Sequence, residues 1–215
     1  MTTKLMLVDD HTIMLECLST KLEKGDNFEV IARAKDGRTA VKLALELNPD
    51  IIIMDISLPD LNGIDATHQI LKLAPHIKVL GLSMHSDKSH VIDMIKAGAS
   101  GYILKDCSYK ELLFAIDILN KDQFYITPQI TGIIIKDLIS CGARTTEISH
   151  EELSQKEREV LQLIAEGHSS KEIASDLNIT IRTVDAHRMN IKKKLDIHTT
   201  AGLVKYAIRA NLTFL

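Results

Sequence analysis

The feature that most constrains the fold of this chain is a repeated alternation of apolar runs and helical patterns across residues 1–122. The apolar runs are KLMLV, FEVIARA, DIIIMD, KVLGLS and GYILK. Apolar residues at helical spacing follow these runs in the segments Thr12–Glu23, Thr39–Leu47, Ala66–Leu73, His90–Ala97 and Tyr109–Asn120. The alternation predicts an α/β fold, with a doubly wound parallel sheet of five strands and helices on both faces.

The rest of the chain carries helical signals only, which predicts a second, all-α domain. Residues 123–150 hold one apolar helical pattern and then small and polar residues, so they are predicted as a linker with a helix. Within residues 151–215, SQKE and SSKE predict capping boxes at Ser154 and Ser169. Four helices are expected in this part, at Gln155–Ala165, Ser170–Leu177, Ile181–Leu195 and Ala201–Ala210.

Composition narrows the setting in which the chain works. The three cysteines, Cys17, Cys107 and Cys141, show no CxxC spacing and fit a reduced intracellular protein. An apolar leader and an apolar run long enough to span a bilayer are both missing, so we expect a cytoplasmic protein without membrane contact. A nucleotide enzyme has no support, because neither a P-loop nor a GxGxxG pattern occurs.

Polar residues gather at the predicted carboxyl ends of the strands, where open parallel sheets form their sites. Asp9 and Asp10 follow the first strand, Asp55 ends the third, Ser83 ends the fourth and Lys105 follows the fifth. Taken alone, each of these residues is typical of an ordinary surface position, and the Asp-Asp pair is typical of a helix cap. Together, three carboxylates suit Mg²⁺, while the hydroxyl and the lysine suit phosphoryl oxygens. The rigid position of Asp55 after an apolar strand makes it the best candidate nucleophile.

Several motifs resemble a known family. LVDDH, DIIIMDISLPDLNG, VLGLSMH, KAGASGYILKD and YITP occur in the order typical of a response-regulator receiver domain, and the whole chain resembles the NarL/FixJ type. The resemblance implies a receiver-like fold for residues 1–122 and phosphorylation of Asp55 by a sensor histidine kinase. It also implies that Asp10, Asp55 and the backbone carbonyl of Ser57 bind Mg²⁺, with Asp9 acting through water.

The same resemblance assigns the residues around the phosphoryl group. Ser83 and Lys105 would bind that group, and Tyr102 stands at the position of the aromatic switch, whose ring turns inward once the hydroxyl is drawn to the phosphoryl group. Two positions depart from the family pattern. Ser83 replaces the threonine of many relatives and keeps the hydroxyl, and Asp106 stands after Lys105 where many relatives have proline.

The segment Ile181–Leu195 is predicted to be an amphipathic helix with a basic outer face. Val184, Ile191 and Leu195 form its apolar stripe. The opposite face carries Arg182, Ala186, Met189 and Lys193. Residues 181–194 contain five basic residues and one acidic residue, a net charge of +4. Such a helix behind another short capped helix suits the major groove of DNA, with Arg182 among the residues that would contact it. The alternative is a merely solvated charged face.

A second resemblance favours DNA. LSQKEREVLQLIAEGHSSKEIASDLNITIRTVDAHRMNIKKKL is similar to the LuxR-type helix-turn-helix. In that family the base-reading positions correspond to Asp185, Ala186 and Met189. Phosphate contacts are expected from Thr183, Arg188, Lys192 and Lys193, although the helical wheel puts Arg188 near the apolar side. Because none of these three base-reading positions is an arginine or an asparagine, we expect modest sequence specificity for each half-site.

The last helical segment presents one broad apolar face, formed by Leu203, Val204, Ala207, Ile208 and Leu212. Part of this face must pack in the core, and the family resemblance implies that the helix also forms the dimer contact on DNA. The partners implied are therefore a histidine kinase, double-stranded promoter DNA, a second copy of the chain and RNA polymerase.

The resulting hypothesis is a response regulator that is phosphorylated on Asp55 and regulates transcription, rather than an enzyme with an external substrate. Its only chemistry would be its own phosphotransfer and dephosphorylation. One alternative is a DNA-binding dimer that does not depend on phosphorylation. A second is a Mg²⁺-dependent aspartyl phosphohydrolase, which usually has an aspartate two residues after the nucleophile, where this chain has Ser57.

Overall fold

A computed structural model describes most of the chain, namely residues 2–24, 27–84, 88–132, 153–210 and 212–213. The chain divides into two compact units, Met1–Thr145 and Thr146–Leu215. Residues 133–152, which include most of the predicted linker, lie outside the described residues. Across the described part, no helix combines the length and the apolar character needed to cross a membrane.

The first unit alternates strands and helices along the chain. Its strands are β1 (Thr3–Val8), β2 (Phe28–Ala34), β3 (Ile51–Asp55), β4 (Lys78–Ser83), β5 (Gly101–Leu104) and β6 (Tyr125–Ile126). Its helices are α1 (Thr12–Leu22), α2 (Gly37–Leu47), α3 (Gly63–Leu73), α4 (Lys88–Lys96), α5 (Tyr109–Asn120) and the described start of α6 (128–132). The strands pair in parallel in the order β2-β1-β3-β4-β5-β6. This confirms the predicted parallel α/β fold.

The number of strands corrects the sequence prediction, because the sheet has six strands and not five. In β6, Tyr125 and Ile126 pair with Gly101 and Tyr102 of β5. Two residues are too few to show an alternating pattern, so β6 was not recognisable as a strand. The sheet therefore continues into the segment that was predicted as a linker.

Helices cover both faces of the sheet, so its central strands are buried on both sides. All five residues of β3 are buried. Successive residues of a strand point to opposite faces, and accordingly Ile52 and Met54 pack in one apolar cluster while Ile51 and Ile53 pack in the other. This double burial explains the continuous apolar run, and it holds the end of β3 rigidly.

The second unit contains the four predicted helices, α7 (Gln155–Ala165), α8 (Ser170–Asp176), α9 (Ile181–Leu195) and α10 (Thr200–Arg209). Both predicted capping boxes form completely, at Ser154 and Ser169. The observed bounds differ from the predicted ones by at most one residue, because caps and apolar spacing define helix ends locally.

The last helix requires a correction at the residues predicted to form a dimer contact. Leu203 and Ala207 are completely buried in the core of the second unit, so neither can present a surface to another chain. Val204 and Ile208 are half-buried and still reach the surface. The dimer contact thus stays a prediction for Val204 and Ile208 only.

Candidate functional site

The carboxyl ends of β1, β3 and β5 bring three of the predicted site residues into direct contact. Lys105 Nζ lies 2.8 Å from Asp9 Oδ2 and 2.7 Å from Asp55 Oδ2. All three side chains are almost fully buried. Ser83 is also buried at the end of β4, and its carbonyl accepts a 2.7 Å hydrogen bond from the amide of Lys105. The parallel sheet therefore aligns these strand ends as the sequence pattern predicted.

Burial and ion pairing compete in setting the charge of this cluster. Burial raises the pKa of Asp55 to about 6, against the opposing influence of Lys105, whose ammonium group favours the ionised carboxylate. For Lys105, burial lowers the pKa, but the hydrogen bonds to Asp55 and Asp9 outweigh burial and raise it. Lys105 is consequently a permanent positive charge that faces two carboxylates.

A group of four side chains at this edge can offer ligands to one cation. Asp9, Asp10, His11 and Asp55 each place one oxygen or nitrogen atom within 4.8 Å of the others. Carboxylate oxygens are the ligands that Mg²⁺ prefers, so the residues present fit the predicted ion. The Ser57 amide donates a 3.2 Å hydrogen bond to Asp55 Oδ1, while binding of metal by the Ser57 carbonyl stays a prediction.

His11 is a member of this group that sequence reasoning missed. Its Nδ1 lies 2.7 Å from Asp10 Oδ1 and 3.0 Å from Asp9 Oδ1. The available signal was its position directly after the two aspartates, where it serves as the N-cap residue of α1 without a side-chain cap hydrogen bond. Such a position leaves the imidazole available to the carboxylates.

Tyr102, the predicted aromatic switch, is completely buried and belongs to one of the two apolar clusters of the sheet. A Cβ atom added at Gly81 would lie 3.4 Å from Cδ2 of its ring, so the ring packs beside the backbone of β4. The ring points inward in this structure. Its role as a switch stays a prediction.

Helix α9 has the two-sided character that its sequence predicts. Val184 and Ile191 are completely buried, and Met189 is 71% exposed. The remaining residues predicted to contact DNA divide by exposure: Arg182, Asp185, Ala186 and Lys193 are exposed, and Thr183, Arg188 and Lys192 are half-buried. The exposed and half-buried positions form a face that can approach DNA.

Lys194 serves the core of the second unit instead. Its Nζ lies 2.8 Å from Glu157 Oε2, which also accepts a hydrogen bond from the amide of Ser154. Burial favours the neutral form of Glu157, but the hydrogen bonds from Lys194 and Ser154 outweigh it and lower the pKa of this carboxyl. The ion pair therefore ties α9 to the start of α7.

We expect Glu157→Gln to destabilise the second unit, because glutamine can still cap α7 but cannot pair with the charge of Lys194. Losing a charged hydrogen bond in a buried place costs about 1–3 kcal/mol at neutral pH. A carboxyl whose pKa is lowered on folding stabilises above its ordinary value of 4.5 and loses that contribution as the pH falls below it. The difference between wild type and variant should shrink accordingly.

The measurement is urea unfolding of the full chain at several pH values, monitored through the amide NMR signals of α7 and α9. Glu172→Gln is the matched control, because Glu172 fills the same position in the capping box of α8 but is exposed. A smaller loss is expected there. Equal losses in the two variants, or a Glu157→Gln effect that does not vary with pH, would contradict the role of the ion pair.

Comparison with known proteins agrees with an acidic site in the first unit and a DNA-facing helix in the second. Residues 5–117 match the family model of the response regulator receiver domain, and residues 151–207 match that of the bacterial regulatory proteins of the luxR family. The transcriptional regulatory protein MctR of Rhizobium johnstonii is 36% identical over 205 residues, which cover 95% of this chain and 92% of MctR. The oxygen regulatory protein NreC of Staphylococcus epidermidis is 34% identical, with coverage of 97% and 98%.

Solved structures give the same result. RcsB from Salmonella enterica serovar Typhimurium, bound to the promoter P1flhDC in the presence of the phosphomimetic BeF3−, matches with a TM-score of 0.61 and 25% identity. The match covers 99% of this chain and 100% of that one. A structure of two RcsB dimers bound to two parallel DNAs matches with a TM-score of 0.60 and 25% identity, covering 97% of this chain and 98% of that one.

The fold, the carboxylate edge and the helix-turn-helix together define a regulator of the two-component class, which acts on transcription and is not an enzyme. The chain belongs to the response-regulator family in which a receiver domain precedes a LuxR-type DNA-binding domain. Because its relatives are named regulatory proteins, the alternative of an aspartyl phosphohydrolase loses its support.

Proposed function

We propose that a sensor histidine kinase phosphorylates Asp55 and that the acyl phosphate controls binding of the second unit to promoter DNA in the cytoplasm. The observation that carries this proposal is the setting of Asp55. It is a buried carboxylate at a rigid strand end, 2.7 Å from the ammonium group of Lys105. A single carboxylate so placed can form a covalent bond to phosphorus while a fixed positive charge faces the oxygens of the transferred group.

The transfer takes place between a phosphohistidine of the kinase and Asp55, and the other residues at this edge of the sheet assist it. A carboxylate oxygen of Asp55 forms a bond to phosphorus as the P–N bond breaks, and the electron pair of that bond stays on the imidazole, which takes a proton from water. Lys105 and the hydroxyl of Ser83 would hold the phosphoryl oxygens. The exclusion of water by the buried setting strengthens these charge interactions.

Asp9, Asp10, Asp55 and the carbonyl of Ser57 would hold Mg²⁺. When bound, the ion supplies positive charge opposite the negative oxygens of the phosphoryl group. Lys105 alone cannot balance the charge of a phosphorylated Asp55 next to Asp9, which is why we expect phosphorylation to require a divalent cation.

The DNA-facing role falls to α9 and the dimer role to α10. Exposed Asp185, Ala186 and Met189 would approach base edges, and the basic residues would contact phosphates. Val204 and Ile208 would pair two copies of the chain, as two-fold symmetry of a DNA site requires. Support comes from RcsB, which binds parallel DNAs as dimers. RNA polymerase is the further partner that a transcription regulator of this kind would meet.

The test of gating uses the full chain with and without Mg²⁺ and a small phosphodonor such as acetyl phosphate. Phosphorylation should raise both the sedimentation coefficient and the affinity for a duplex that carries two inverted half-sites about 10 bp apart. Genomic mapping of the bound sites would supply that duplex. Phosphorylation without a change in association state or in DNA affinity would overturn the proposal and favour the phosphorylation-independent dimer.

Substitutions on α9 should separate phosphate contacts from base reading. Lys193→Ala should weaken binding to all DNA sequences together and reduce the slope of log affinity against log salt by about 0.9, the loss of one phosphate contact. Met189→Ala should alter the preference among sequences and leave that slope unchanged. Titrations of the full chain at several salt concentrations decide the matter, and a reversed pattern would show that the two roles are wrongly assigned.

A further inference from the structure

A chain of hydrogen bonds joins α8 to the DNA-facing helix α9. Ser170, the first residue of α8, donates from Oγ to Asp185 Oδ1 at 3.2 Å. Arg188 Nη1 in turn donates to Ser170 Oγ at 3.4 Å. A hydroxyl can donate one hydrogen bond and accept others, so Ser170 can make both contacts at once.

These hydrogen bonds through Ser170 explain why an acidic residue lies on an otherwise basic face. The carboxylate of Asp185 is repelled by DNA phosphates, and its presence in the segment 181–194 reduces the attraction of five basic residues. Arg188 lies three residues after Asp185 on the same helix, so the two side chains are neighbours on its surface and their opposite charges attract. The shared contact with Ser170 places Asp185 beside Arg188 rather than leaving it as an isolated charge.

The hydrogen bond to Ser170 also restricts the orientation of the Arg188 guanidinium group. This side chain is half-buried, and one of its nitrogens is occupied by Ser170. Guanidinium offers five N–H donors in a planar fork, so donors remain for a phosphate. An arginine that is oriented before binding loses less conformational entropy when it meets DNA than a free one, and ordering such a side chain is a substantial cost of binding.

We propose that Ser170 and Asp185 are positioning residues that orient Arg188 toward a phosphodiester of the DNA backbone. This assigns Asp185 a role other than the base reading that family resemblance implied, and it turns Arg188 from an uncertain contact into a prearranged one. The inference rests on DNA binding by the second unit and is independent of phosphorylation of Asp55.

The experiment is a titration of the unphosphorylated full chain with a short random-sequence duplex at several salt concentrations. A phosphate contact does not depend on base sequence, so this probe is sufficient. Arg188→Ala should reduce the log–log salt slope by about 0.9. Ser170→Ala should weaken binding about two- to tenfold, which corresponds to the cost of ordering one long side chain. Ser170→Ala added to Arg188→Ala should weaken binding no further.

Two further variants separate positioning from a structural role. Ser170→Thr keeps the hydroxyl and should restore the affinity, and Ser175→Ala removes an exposed serine of the same helix and should change nothing. The urea midpoint of the second unit should be equal in Ser170→Ala and wild type. The proposal is overturned if Ser170→Ala binds normally, if its effect persists in the Arg188→Ala background, or if a matching loss of stability accompanies it.

Discussion

Asp55→Asn should abolish phosphorylation of the chain, because an amide of nearly the same shape cannot act as the nucleophile. Wild type incubated with Mg²⁺ and a small phosphodonor is expected to gain the mass of one phosphoryl group, and the variant none. The buried place of Asp55, 2.7 Å from the Lys105 ammonium, is the reason to expect a single acceptor. Intact-mass spectrometry at neutral pH, above the pKa of about 6 that burial imposes on Asp55, is the appropriate measurement.

The matched control is Asp117→Asn, which changes an exposed aspartate of α5 that pairs with Lys121 on the same helix. It should take up one phosphoryl group at the rate of wild type. Equal labelling of Asp55→Asn and wild type would remove Asp55 from the proposed chemistry. Loss of labelling in both variants would show that the loss is not specific to Asp55 and would not identify it as the nucleophile.

Gly63→Ala should destabilise the first unit strongly and disturb the acceptor. A Cβ atom at this position would lie 1.9 Å from the carbonyl oxygen of Asp55 and 2.9 Å from Cα of Ile56. Both neighbours are backbone atoms at the end of β3, a strand buried on both faces, so they cannot move aside as a flexible side chain would. Overpacking of this kind costs about 1–3 kcal/mol, and more where the backbone must shift.

The measurement is urea unfolding of the full chain together with the phosphodonor assay. We expect a lower midpoint for the first unit and slower labelling, because α3 and the end of β3 would be pushed apart. Gly132→Ala is the control, since Gly132 is helical and no atom of the residues that the structure describes lies within 4 Å of an added Cβ. There, the better helix propensity of alanine should leave stability equal or slightly higher. A Gly63→Ala protein as stable as wild type would contradict the close approach.

The sequence by itself determined most of the elements of both units. Helices α5, α7 and α9 begin and end at the residues that apolar spacing and caps predicted. Such signals are local, because a helix or strand that buries one face must repeat its apolar residues with its own period. The same reasoning located Asp9, Asp55, Ser83 and Lys105 at one edge, since parallel strands all end on the same side of a sheet.

Only the tertiary structure decided the relations between elements. The two-residue strand β6 exists because β5 offers it a partner, and the division of α10 into a buried face at Leu203 and Ala207 and a half-buried one depends on what α10 packs against. The approach of Gly63 to Asp55 and the path from Ser170 to Arg188 likewise join residues whose spacing in sequence carries no period. A local pattern determines which way a side chain faces on its own element, but the neighbour that it meets is set by how the elements pack.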